Sequence, residues 1–210
     1  MDPGPDDPVT RLRELLEEWN SVRASGGSCA SGGRSYPFTD CGRIQAAIER
    51  LGLDFPSHPE ILLANAVIAF ETHQPEKAQS YLDALLELDP MQPGVAVLRG
   101  RIAIQQGNLP FARRLLEEHV QLAPDSSELR EALASVHYLL GDLTRARREL
   151  EIAERLGAPR WRVAYHRGLL EEADGKPEAA IDYYRRALEG NPGWDRARAR
   201  LRGLESERGL

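Results

Sequence analysis

Residues 93–126, PGVAVLRGRIAIQQGNLPFARRLLEEHVQLAPDS, and residues 127–160, SELREALASVHYLLGDLTRARRELEIAERLGAPR, are two versions of one 34-residue pattern. Gly100 and Ala134 share one place in it, Gly107 and Gly141 a second, Ala112 and Ala146 a third. The same columns continue outward in both directions. Ala66 and Gly168 extend the first, His73 and Gly175 the second, and Ala78 and Ala180 the third. Pro90, Pro124 and Pro192 form a fourth column, whose missing rung is Ala158 with Pro159 one residue late. Four columns in step at one period define an internal repeat, and a repeat has to be recognised before anything else is assigned.

Each column has a physical task. A small residue in a first helix and an alanine in a second let two helices cross closely, where a larger side chain would hold the backbones apart. The glycine follows the first helix, where the chain takes a left-handed C-cap before turning. The proline follows the second helix and ends it. Between them apolar residues recur at helical spacing, as in Leu82, Leu85 and Leu86, or Leu115, Leu116 and Val120. The pattern therefore predicts an all-α chain of helical hairpins stacked on one another.

In period, small residue, Gly-Asn or Gly-Asp turn, alanine and terminal proline, the chain resembles the tetratricopeptide repeat family. Residues 59–92, 93–126, 127–160 and 161–194 are the four copies, covering about two-thirds of the sequence. The resemblance implies a right-handed α-solenoid. It departs at two first-helix positions: the family's Trp is replaced by Leu62, Ala96, Arg130 and Ala164, and its Leu, kept at Leu133, by Asn65, Arg99 and Arg167.

The flanks fit the same scheme. Residues 195–210 read as a capping helix that shields the last copy, with Leu201 and Leu204 on its apolar side and its arginines in water. Upstream, residues 9–58 read as a degenerate hairpin. Asp40 to Leu53 carries Ile44, Ala47, Ile48 and Leu51 on one side, and Pro56 lies one period before Pro90. Its partner helix is predicted over Val9–Ala24, with a stripe of Leu12, Leu15, Leu16, Trp19 and Val22 and Asp7-Pro8 as N-cap and N1. A Gly/Ser-rich insertion, residues 25–38, separates the two and reads as a flexible loop, and residues 1–8 as a disordered tail. A competing arrangement detaches Val9–Ala24 and docks it in the groove or on a second copy.

Composition narrows the function classes. The chain has 210 residues, 41% hydrophobic and 29% charged, with a formal net charge of −6. A soluble folded chain accounts for those values, and the acidic balance argues against nucleic acid as a partner. No apolar run is long enough for a transmembrane helix. The acidic start lacks the apolar region of a signal peptide. The compartment stays open: cytoplasmic if Met1 is native, periplasmic if a signal was removed. Cys29 and Cys41 bracket a Gly/Ser-rich stretch and read either as two unpaired thiols or as a disulfide, which would close a loop worth about 3 kcal/mol in chain-entropy terms.

No phosphate-binding glycine motif, no H-E-x-x-H and no G-x-S-x-G elbow occurs, so no enzyme, cofactor or metal site is expected. What remains is a binding surface. The resemblance implies that first helices line a concave face through the second, fifth, ninth, twelfth and thirteenth positions of each copy. Candidate partner-binding residues on it are Leu63, Val67, Phe70, Val97, Arg101, Ile104, Glu131, Tyr138, Tyr165 and Leu169, with Arg101, Glu131 and Glu172 as isolated charges in an apolar lining. Leu63 and Val67 stand where chaperone-binding members carry their carboxylate clamp. The expected ligand is therefore an apolar or amphipathic segment of a protein or peptide partner. The alternative is a self-associating structural or accessory component of a bacterial envelope assembly, lipoprotein-like, with homo-oligomers formed through the N-terminal helix.

Overall fold

The computed structural model describes residues 7–25 and 39–207. They form eleven helices, all α: α1 Pro8–Ala24, α2 Asp40–Asp54, α3 Pro59–Glu71, α4 Pro75–Leu88, α5 Pro93–Gln105, α6 Leu109–Leu122, α7 Ser127–Leu139, α8 Leu143–Arg155, α9 Arg160–Ala173, α10 Pro177–Gly190 and α11 Asp195–Glu207. No strand occurs among the described residues. The architecture is an α-solenoid of helical hairpins, one pair per 34-residue span, with α11 after the last pair. The insertion at residues 26–38, Cys29 included, and the tail at 1–6 lie outside the described residues.

The turn chemistry written in the sequence is the turn chemistry used. Gly107, Gly141 and Gly175 adopt φ of 75°, 77° and 72°. His73 occupies the same corner at φ 58°, a conformation that costs a side chain with a Cβ about 1 kcal/mol or more. After each corner the next amide reaches back to the first helix: Gln74 to Ala69 O at 2.8 Å, Asn108 to Ala103 O at 2.8 Å, Asp142 to His137 O at 2.9 Å, Lys176 to Glu171 O at 2.9 Å. This is the bond that satisfies the orphan carbonyls of a helix ended by a left-handed residue. Two of the incoming helices, α6 and α8, start on side-chain caps, Asn108 accepting from Phe111 N at 3.2 Å and Asp142 from Arg145 N at 3.0 Å. The missing proline rung has its own solution. Gly157, at φ 90°, ends α8 with the same backward bond, Ala158 N to Ala153 O at 3.0 Å, and Pro159 then leads into α9.

Two compact units divide the chain, Met1–Ile102 and Ala103–Leu210. In the first, α1 and α2 pack against one another. Asp7 caps α1 by accepting from Thr10 N at 2.9 Å, and Thr39 caps α2. Leu12, Leu15 and Trp19 are buried with Cys41, Ile44 and Ile48 of α2 and Ile61, Ala64 and Ile68 of α3. The detached arrangement of α1 is thus corrected: its stripe is spent inside its own chain, because α2 and α3 offer a matching apolar wall. Three large side chains buried this way contribute about 1.5–3 kcal/mol each. Cys41 carries no free thiol. A second cluster joins Leu62, Ala66, Ala69, Ala78, Leu82 and Leu85 with Val95 and Ile102.

In the second unit, Ala134, Ala146, Leu150, Ala153, Val163 and Leu170 form one cluster, and Ala180, Ile181, Tyr184 and Leu204 another. The four column alanines, 78, 112, 146 and 180, are all 0–1% exposed. At Gly168 the reason for a small residue is visible directly. A Cβ there would stand 2.4 Å from the Tyr184 ring.

The departures from the family's aromatic and leucine positions are met with ion pairs or caps. Arg99 bonds Asp83 at 2.8 Å, Arg130 bonds Glu149 at 2.8 Å, and Arg167 bonds Glu154 at 2.6 Å. In each case a first-helix arginine meets an acid on a neighbouring second helix. Asn65, buried, donates to Ile48 O at 3.1 Å and to Ile61 O at 3.0 Å.

Candidate partner-binding faces

Residues four and seven apart share one side of a helix, so Leu63, Val67 and Phe70 form a single ridge on α3. Their neighbours Ile61, Leu62, Ala64, Ala66, Ile68 and Ala69 are buried. Leu63 and Val67 are not, at 40% and 37% exposure. Two aliphatic side chains are held in water on a helix whose other faces are used. Phe70 is half-buried, and the Arg101 guanidinium lies 5.5 Å over its ring. Val97 of α5 is half-buried. Packing of α1 on Ile61, Ala64 and Ile68 leaves this ridge uncovered by the N-terminal helix.

In the second unit the corresponding faces belong to α7, α9 and α11. Tyr138, Tyr165 and Leu169 are half-buried there, as is Ile104 near the end of α5. Tyr165 sits at the centre of a ring cluster, 5.8 Å from Trp194, 5.9 Å from Tyr184 and 5.5 Å from His166, with Trp161 4.6 Å from Trp194. The nearby cavity lined by Tyr138, His166 and Leu169 is about 10 Å³, room for a single water. Any larger ligand therefore meets an open face.

Two sequence expectations change here. Glu131 and Glu172 are not isolated charges. Glu131 is 3% exposed, and both its oxygens face Arg162, with Nε donating at 3.1 Å and Nη2 2.5 Å away. Burial raises the Glu131 pKa, and the Arg162 charge opposes that rise. Glu172 accepts from the Tyr184 hydroxyl at 2.6 Å and from Arg200 at 3.0 Å. The lining of the second unit is thus mixed rather than apolar. Sequence reasoning missed Arg162, Arg196, Arg200, Trp194 and His166. One signal was available: Arg162 and Arg196 stand one period apart, at the second position of the fourth copy and of the capping helix.

Burial lowers the pKa of three histidines of this unit. Among the described residues His119 has no hydrogen-bond partner at either ring nitrogen, and desolvation lowers its pKa despite Glu118. Desolvation also lowers His137, against the pull of Asp142, Glu117 and Glu149. His166 is lowered to about 4 by burial first, then by Arg162 and Arg196. The unfolded chain takes up these protons near pH 6.5 while the folded chain refuses them. Their contribution is whole above that pH and is lost as pH falls toward 4. Glu131 acts with the opposite sign, as one group against three. The urea midpoint followed by Trp161 and Trp194 emission should therefore drop between pH 7 and pH 5 in a Trp19→Phe background. A midpoint that holds or rises would contradict this.

Among the described residues, no group of three or more His, Cys, Asp or Glu could hold a metal ion. No described helix is long and apolar enough to cross a membrane.

Known proteins place this geometry. The chain is 28% identical over 139 residues to human tetratricopeptide repeat protein 7B, a match that takes in 64% of this chain and 16% of that protein. The chain thus spans about a sixth of the length of that relative. Among solved structures, a thermophilic TPR protein of Thermus thermophilus superposes with a TM-score of 0.70 at 19% identity, over 92% of this chain and 98% of its own. YrrB, described as a TPR protein with an unusual peptide-binding site, superposes with a TM-score of 0.56 at 12% identity, over 92% and 97%. The family model of the tetratricopeptide repeat matches residues 63–127 and 131–193, more than half the sequence. With matching turns, buried alanines and hairpins behind that match, the chain belongs to the tetratricopeptide repeat family.

Proposed function

We propose that this protein is a non-enzymatic interaction scaffold whose first-helix faces hold an apolar or amphipathic segment of a partner polypeptide. The observation that carries this reading is the α3 ridge. Leu63 and Val67 remain exposed where every neighbouring apolar side chain is buried, with Phe70 and its stacked Arg101 completing the ridge. Exposed aliphatic groups on a rigid helix, beside an aromatic anchor, are what a docked amphipathic segment would cover. Tyr138, Tyr165 and Leu169 supply comparable anchors in the second unit. The structural likeness to a protein described as having a peptide-binding site supports the same class of ligand.

The test is capture of partners from lysate of the source organism by wild type, Leu63→Asp/Val67→Asp and Tyr138→Ser/Tyr165→Ser, quantified by mass spectrometry. Specific partners should be lost from the first variant or the second while its helicity by circular dichroism stays intact. Equal capture by all three proteins would remove these faces from the account.

A further inference from the structure

On the α7–α9–α11 face of the second unit, several side-chain donors find no acceptor among the described residues. Glu131 is spent on Arg162, and Glu172 on Tyr184 and Arg200. Four donor groups remain. The Tyr138 and Tyr165 hydroxyls and the exposed Arg196 guanidinium have no acceptor among the described residues, and the Trp194 indole N–H is buried without one. These groups converge. Trp194 and Tyr165 rings are 5.8 Å apart. Arg196 follows Trp194 by two residues, in the first turn of α11, and the charges of Arg196 and Arg200 act on the Tyr165 hydroxyl. Arg162 and Arg200 are paired with Glu131 and Glu172, and Glu128 acts on Glu131 from the same helix, whereas Arg196 is paired with no acid among the described residues. A guanidinium beside phenol donors is a receptor for a planar anionic acceptor, with aromatic faces for an apolar neighbour.

We propose that the second unit recognises an internal acidic side chain, Asp or Glu, of an extended partner segment, Arg196 binding the carboxylate while Tyr165 and Trp194 receive an adjoining apolar residue. This rests on the scaffold reading above and specifies its ligand. Arg196 has the right setting for the role: it is exposed, unpaired and on the inward position shared with Arg162. Arg202, also exposed on α11, lies about 120° around the helix and serves as the control.

The probe is a library of random dodecapeptides displayed on phage as amino-terminal fusions, so that no bound segment offers a free carboxyl terminus. It is selected on the whole wild-type chain. Enriched peptides are resynthesised with amidated ends, and their affinities measured by fluorescence anisotropy. The expected consensus has Asp or Glu next to a large apolar residue. Changing that acid to its amide should weaken binding about tenfold, and Arg196→Ala should weaken the acidic peptide equally and the amide peptide no further. Arg196→Lys should retain part of the affinity, and Arg202→Ala all of it. Raising salt should weaken the wild-type complex with the acidic peptide, which checks the charge without any substitution. An enriched consensus lacking acids, or an acidic peptide held equally by Arg196→Ala, overturns the acid specificity and leaves the scaffold standing. A library that enriches nothing counts against peptide binding itself and takes this inference with it.

Discussion

Replacing Gly168 by alanine should destabilise the second unit by about 1–3 kcal/mol, the usual cost of overpacking. On helix propensity alone the change should help by about 1 kcal/mol, since glycine is the poorer former inside a helix. Sterics decide the sign. The new Cβ would lie 2.4 Å from Tyr184 Cε1 and 2.7 Å from Cδ1. The ring cannot easily give way: Tyr184 is 0% exposed, its hydroxyl is bonded to Glu172 at 2.6 Å, and Tyr165 lies 5.9 Å off. A double-mutant cycle isolates the collision. With Tyr184→Leu in place, the Gly168→Ala step should become neutral or stabilising, because the obstacle is gone and the propensity gain remains. Urea denaturation of the four proteins measures it. A more stable single Gly168→Ala variant would show that this helix crossing is looser than described.

Trp19→Ala should have the largest effect in the first unit, about 3–5 kcal/mol for a buried tryptophan cut back to a methyl. Trp19 is 3% exposed and shares its cluster with Leu12, Leu15, Ile44, Ile48 and Ile61. Repeat arrays lose their terminal elements locally when a terminal interface fails. Hydrogen exchange should accordingly show α1 and α2 amides losing protection while α9 and α10 keep theirs. Protection of α1 that survives the substitution would mean the helix is held by something other than this cluster.

Much of the fold was legible because the repeat enforces it. A closely crossing pair of helices tolerates only small side chains at the crossing, and a left-handed corner favours glycine, so Ala112 or Gly141 states its place unaided. His73 was legible too, since its column assigns it the corner despite its residue type. The third copy was read less well. Its missing proline was visible, but not that Gly157 ends α8 in the same left-handed way as a first-helix corner. The site was harder, because its charges pair between first helices of successive hairpins. Glu131 with Arg162 and Glu172 with Arg200 are 31 and 28 residues apart. Neither separation equals the period; each reflects how one hairpin is rotated on the next. A pattern of columns carries no such angle, so acids that looked isolated proved to be bonded. Leu63 and Leu62 are adjacent and chemically identical, yet one lies open and the other in the core at 3% exposure.

The most direct measurement is a parallel series of Ala78→Leu, Ala112→Leu, Ala146→Leu and Ala180→Leu, with exposed Ala199→Leu as reference, each assayed by urea denaturation. Four equivalent close crossings should give four losses of about 1–3 kcal/mol beside a near-neutral reference. If any column member accepts leucine as readily as Ala199, the four sites are not equivalent and the repeat does not set the packing.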